Sequence, residues 1–187
     1  INIGFGKAKI AYAEGRCVGG ASEINRGLYH RLPGSVLDDW RSRFDVAELS
    51  LAGLAPHFEA CEATAKVEYL PGPAPLISSR LHDGATRLGW NSIEVPRLYA
   101  YASRADNAPG RKQSMSATFV PRFLEAGGRL VADTWVKNMT RSNGKWHIRA
   151  RHAPAGRAPR RVEIKSDTVF VCCGAVQSPA LLRRSGF

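Results

Sequence analysis

The spacing of apolar residues changes at Gly127-Gly128, and that change limits the folds open to the chain. Before it, apolar side chains recur every three or four residues, the period of a helix with one buried face; after it they alternate with polar ones, the period of a strand. Ile77, Leu81, Ala85 and Leu88 mark one helix ending at Gly89. "SMSATFVPRFLEAGG" predicts another, kinked or restarted at Pro121 and stopped by the glycine pair. "DVAELSLAGLAPHFEACEATAK", residues 45–66, predicts two short helices, with Pro56 in the first turn of the second and Phe58, Cys61 and Ala65 on one side.

Beyond the glycines, "RLVADTWVKNM" predicts a strand, Asn143 and Gly144 a tight hairpin, and "KWHIRAR" and "RRVEIK" two further alternating strands. "TVFVCC" is apolar throughout, which predicts a strand covered on both faces in a parallel sheet, with Cys172 and Cys173 buried as small hydrophobes. "SPALLRRSG" then predicts a helix opened by Ser178 and Pro179. The order is that of a mixed α/β chain.

No apolar run reaches the roughly 18 residues that would span a bilayer. Four cysteines in no metal-ligand spacing argue against zinc and suit a reducing compartment, the cytoplasm. The net charge of +11 invites a nucleic-acid partner. Its distribution does not: arginines recur from Arg16 to Arg184, and the densest run, "IRARHAPAGRAPRRVEIK", has no aromatic residue on which a base could stack. No nucleic acid is therefore expected. The rival from another class is a basic, non-catalytic phosphate-binding module built on Arg149 to Arg161.

Two places carry chemistry. After the apolar lead-in "AKIAYA", Gly15, Gly19, Gly20 and Gly27 fall close together with Arg16, Ser22 and Asn25. Glycines let backbone amides approach a phosphate, and the arginine, hydroxyl and amide add charge and hydrogen bonds suited to a pyrophosphate. A plain turn into a helix capped by Ser22 is the competing reading. In the second place, "VFVCCGAVQSPALLRRSGF", a strand ending at Gly174 and Ala175 would open helix amides at the edge of a sheet, where ligands of open α/β folds collect. Neither supplies a nucleophile or a base.

Together, "GRCVGGASEIN" with Tyr29 beyond it resembles the first signature of the glucose-methanol-choline (GMC) family of flavin oxidoreductases, and "GAVQSPALLRRSGF" resembles its second. "DDW" with a helix after it, "LGWNSIEVPR" and "GRKQSMSATFVPRFLEAGGRL" also match, so the resemblance covers nearly the whole chain. Ala21, the later Pro33, Arg26 beside Asn25 and the terminal Phe187 depart from the pattern.

The resemblance implies an internal part of an FAD-binding, Rossmann-like domain lacking its first βαβ unit. Residues 1–33 would be the FAD-contact segment, 34–128 a mostly helical insertion, and 129–187 a β-meander, buried strand and helix. It implies cofactor contacts from Arg16, Gly19, Gly20 and Ser22 to the phosphates, from Asn25, Gly27 and Leu28 near the flavin ring, from Val136 to the adenine, and from Gly174 and Ala175 to the same dinucleotide. The intact enzyme would oxidise a small-molecule alcohol at CH–OH, using a histidine downstream of the second signature. "NIGFGKAK" lacks the third glycine of G-x-G-x-x-G and a clear preceding strand. His30 is expected to be structural, His57, His82, His147 and His152 solvated, and none catalytic.

Overall fold

The computed structural model describes residues 2–4, 9–101 and 110–187. They form two compact units, Ile1–Ala126 and Gly127–Phe187. The architecture is mixed helix and strand, and every strand pair among the described residues is antiparallel.

The first unit opens on a short hairpin, β1 (Asn2–Gly4) and β2 (Ile10–Tyr12), with Asn2 opposite Tyr12. Gly4 is the last residue of β1, while Gly6 lies outside the described residues. The single turn α1 (Ala21–Ile24) follows, then α2 (Gly34–Phe44), whose Leu37 is almost wholly buried and which contains the "DDW" triplet. Asp45, in the left-handed region at φ 52°, ends α2.

One helix, α3 (Leu51–Ala65), takes the place of the two expected from 45–66. Ser50 fixes its start by accepting the Gly53 N–H at 3.0 Å, which leaves only a turn between Asp45 and the cap. Pro56 lies inside this helix near its N-terminus, where it forfeits only the bond to the Ala52 carbonyl. Ala65 is buried as expected, but Cys61 is exposed.

The helix α4 (Leu76–Arg87) forms where the apolar period places it, and Gly89 takes φ +70° just beyond. Its stripe is uncovered: Ile77 is 81% and Leu81 74% exposed. The helix α5 (Phe119–Glu125) is shorter than expected, because residues 115–118 form turns in which the Thr118 hydroxyl donates to the Ser114 carbonyl at 2.8 Å. Pro121 consequently falls in the first turn of α5. Strands β3 (Val67–Glu68), β4 (Arg97–Ala100) and β5 (Arg111–Lys112) form a small sheet in the order β3-β4-β5.

The second unit is a meander of β6 (Thr134–Ser142), β7 (Lys145–His152) and β8 (Arg160–Ser166), joined to α6 (Gly174–Ser185). Asn143 (φ 51°) and Gly144 (φ 74°) make the predicted two-residue turn, with both residues in the left-handed region that matches the strand twist. Met139, Ala150 and Leu181 are the buried apolar residues. Ser185 ties α6 to β6: its Oγ accepts the Met139 N–H at 3.0 Å and donates to the Leu181 carbonyl at 2.8 Å.

The buried parallel strand expected at "TVFVCC" does not form. Residues 168–172 carry no strand pairing, Phe170 is 86% exposed, and Cys172 and Cys173 are exposed. An extended apolar run becomes a central strand only where neighbours satisfy its backbone on both sides, and the described residues provide none. The following helix starts at Gly174, four residues before Ser178; the Ser178 hydroxyl instead accepts the Cys173 N–H at 3.0 Å. Among the described residues, no helix is long and apolar enough to cross a membrane.

Candidate functional site

The glycine segment is pinned to two distant stretches of its own unit. Gly20 N–H bonds the Cys17 carbonyl at 3.0 Å and closes a turn, after which Gly20 adopts φ 57°, ψ −137°, a conformation essentially reserved for glycine. Ser22 is buried, and does not cap α1. Its hydroxyl donates to the Gly19 carbonyl at 2.6 Å and accepts the Met115 N–H at 2.9 Å. Ser116 adds a bond from its hydroxyl to the Val18 carbonyl at 3.1 Å, and its N–H reaches Glu23 Oε1 at 3.4 Å. Hydrogen bonds from Ser114 and Ser116 hold the Glu23 carboxyl below its ordinary pKa of 4.5.

The segment then runs alongside β4. Asn25 Oδ1 accepts the Gly27 N–H at 3.0 Å in an Asx turn, and Lys112 Nζ donates to the Asn25 carbonyl. Leu98 N–H bonds the Gly27 carbonyl at 2.7 Å, Leu28 bridges Arg97, and Tyr29 N–H bonds the Pro96 carbonyl at 2.9 Å. On the same flank of β4, Gln113 N–H bonds the Leu98 carbonyl at 2.8 Å. Residues 27–29 thus continue the flank of β4 that residues 111–113 begin, while β3 covers the opposite flank.

A third anchor reaches α3. Arg31 grips Glu62 through two bonds of 2.6 Å, from Nε to Oε1 and from the terminal nitrogen to Oε2, with its guanidinium 5.6 Å from the Phe58 ring centre. Glu62 also accepts from Tyr29. Burial, then the Glu62 bond, push the Tyr29 phenol up to about 12, while Arg31 holds the Glu62 carboxyl below its ordinary value.

The glycines divide by role. A Cβ on Gly15 would overlap the Gly20 carbonyl, one on Gly19 would overlap Glu23 Oε1, and one on Gly27 would stand 2.8 Å from Tyr99 Cε2. These three serve packing. Among the glycines that the sequence assigns to a cofactor, Gly20 and Gly174 combine positive φ with open space where a Cβ would stand, features they share with Gly72, Gly89, Gly127, Gly144, Gly156 and Gly186.

Arg16, Gly19, Gly20, Ser22, Asn25, Gly27 and Leu28 accordingly fall in one pinned segment of the first unit. Val136, Gly174 and Ala175 belong to the second: Val136 at the β-bulge of β6 opposite Ala150, the other two in the first turn of α6. The sequence pattern missed residues 112–116 as part of this site. Gln113, Ser114 and Thr118 are all buried, yet the sequence predicts Ser114–Thr118 at the start of a helix and not against the glycine segment; the one available signal was that "GRKQSMSAT" lies in a stretch that resembles the family.

Among the histidines, His30 is exposed, His57 and His82 lie on helix surfaces, and His147 and His152 are half-buried. His147 Nδ1 is 3.3 Å from Glu163 Oε1, and His152 Nδ1 is 3.0 Å from Thr134 Oγ1. These two are cross-strand structural contacts rather than solvated side chains.

The family profile described as GMC oxidoreductase matches residues 4–187, and the chain belongs to that family. An uncharacterized GMC-type oxidoreductase, y4nJ, of Sinorhizobium fredii is 35% identical over 192 residues, covering 100% of this chain and 38% of the relative. Another uncharacterized GMC-type oxidoreductase, Rv0492c of Mycobacterium tuberculosis, is 28% identical over 204 residues, covering 98% of this chain and 30% of its own length. The chain thus spans about a third of the curated relatives it matches. No solved structure matches it significantly.

Proposed function

We propose that this chain is part of the FAD-binding, Rossmann-like domain of an oxidoreductase that acts on the CH–OH group of a small-molecule alcohol. The carrying observation is the turn at Gly20: a glycine-only conformation with clear space at the missing Cβ, braced from below by the buried Ser22 to Met115 bond. Membership of the GMC family supports the same reading.

The residues fit a dinucleotide. Gly19, Gly20 and Ser22 would lie along its phosphates with Arg16 as the fixed cation, and Asn25, Gly27 and Leu28 would face the flavin ring. By the family pattern Val136 would face the adenine, and Gly174 and Ala175 would lie close to the same dinucleotide. Bound FAD would supply the hydride-accepting chemistry. The protein's share is position: the Ser22, Lys112 and Arg31 anchors hold the glycine turn in one shape before the ligand arrives, which removes an ordering cost from binding. None of the chain's five histidines is assigned as the base, and the βαβ unit that would complete the pyrophosphate site is also not assigned to these residues.

The test uses a polypeptide carrying this chain within its native coding sequence. The expected result is a yellow protein whose flavin absorbance bleaches on anaerobic addition of an alcohol, and whose Gly20→Val variant is folded but colourless. A well-folded, flavin-free wild-type protein would overturn the reading. For the 187 residues alone, weak FAD binding and no alcohol-dependent dye reduction are expected.

A further inference from the structure

In the second unit, strand register sets like charges against each other. Arg151 stands directly opposite Arg161 on adjacent strands β7 and β8, two residues along from the opposite-charge pair Arg149 and Glu163, and Arg160 precedes Arg161. Directly opposed like charges weaken an antiparallel pair. Lys137 and Arg149 complete a group of five cations lining a cleft of about 800 Å³, against one carboxylate, Glu163. That carboxylate is engaged with His147, and none of the five cations forms an ion pair with an acid among the described residues. Asn138, in the same lining, keeps its side-chain oxygen buried and without a hydrogen-bond partner.

These features have one chemistry in common. A concave site of this size is in the range that holds a small molecule, roughly 300 to 1,000 Å³. Opposed arginines present planar forks that match phosphate oxygens two at a time. The lining has no aromatic ring on which a nucleobase could stack. We infer that the cleft at the Arg151–Arg161 pair binds a small phosphate or pyrophosphate ester, whose anionic groups relieve the repulsion built into the strand register.

The cleft lining does not include Val136, Gly174 or Ala175, but it adjoins the flavin reading at the bulge of β6, where Lys137 follows Val136 and Ala150 stands opposite Val136. The probe is inorganic pyrophosphate, titrated calorimetrically into the full 187-residue chain. Expected is saturable binding, weakened about tenfold or more in Arg151→Gln and unchanged in Arg43→Gln on α2. Arg161→Glu replaces the repulsive pair with an attractive one, so it should raise the thermal midpoint of the chain while abolishing the titration; loss of binding by misfolding would move the midpoint the other way. Four outcomes overturn the proposal. One is no saturable pyrophosphate binding, and another is equal loss in Arg43→Gln. The third is displacement by duplex DNA at comparable phosphate concentration, which would make the cleft a general polyanion surface. Competition by excess FAD would assign the arginines to the flavin's own pyrophosphate and likewise overturn a second site.

Discussion

Ser22 and Met115 are 93 residues apart in sequence, and the hydroxyl of the first accepts the backbone N–H of the second at 2.9 Å inside the protein. Replacing Ser22 by Ala leaves that amide and the Gly19 carbonyl without their partner in a part-buried site. An unsatisfied buried group costs about 1–3 kcal/mol. Ser22→Ala should lower unfolding free energy by that amount in denaturant titration, with the slope unchanged. In the flavin-bound polypeptide it should weaken FAD more than Ser35→Ala, a change at an exposed position of α2.

Gly27 and Gly20 both have positive φ, but their surroundings separate two ways in which a side chain fails. At Gly27 a Cβ meets the Tyr99 ring at 2.8 Å, so Gly27→Ala carries both a backbone and a steric penalty. At Gly20 only the backbone resists, by about 1–3 kcal/mol. Tyr99→Leu should therefore recover part of the stability lost in Gly27→Ala and none of that lost in Gly20→Ala. Unfolding of the four variants measures this directly.

The same residues show what the sequence made legible. Glycines at 19, 20 and 27 announced a constrained backbone, because few other residues tolerate those angles, and Gly15 announced a close approach to Gly20. Which of them open toward a ligand and which merely admit Tyr99 or Glu23 depends on contacts made across the fold. Asn143-Gly144 identified its turn because the angles are local. "KQSMSAT" gave no warning of burial, since its polar groups are satisfied by residues 17–25, far away in sequence. Pro56 misled for the opposite reason: its local signal is real, but Ser50 had already capped the helix. "TVFVCC" has the composition of a central strand, and composition cannot supply the neighbours that make one.

The Tyr29–Glu62–Arg31 cluster predicts a two-sided pH response. Glu62 titrates lower in the folded chain than its ordinary 4.5, so its contribution is present above that value and is lost as pH falls through the folded value. Tyr29 is raised to about 12, so its contribution is present below the ordinary 10 and is lost as pH rises through about 12. Glu62→Gln should flatten the acid limb of the stability profile. It should also bring the Tyr29 phenolate transition, followed by absorbance, only part of the way back toward 10, because burial, the larger cause, remains. A complete return would mean that the carboxylate and not burial sets the shift.

Phe170 gives the last prediction. It is 86% exposed in the centre of an extended run from Thr168 to Val171 that has no strand partner and no charge. Such a segment offers both its backbone and its side chains to another copy of itself. Phe170→Lys should slow aggregation of the 187-residue chain, read by light scattering, without lowering its thermal midpoint, since the ring makes little contact that could be lost. Leu181→Lys, at the buried contact between α6 and the meander, should do the reverse by unfolding the second unit and speeding aggregation. If Phe170→Lys instead lowered the midpoint, the run would be packed in solution, and the expectation of a covered strand would be restored at this position.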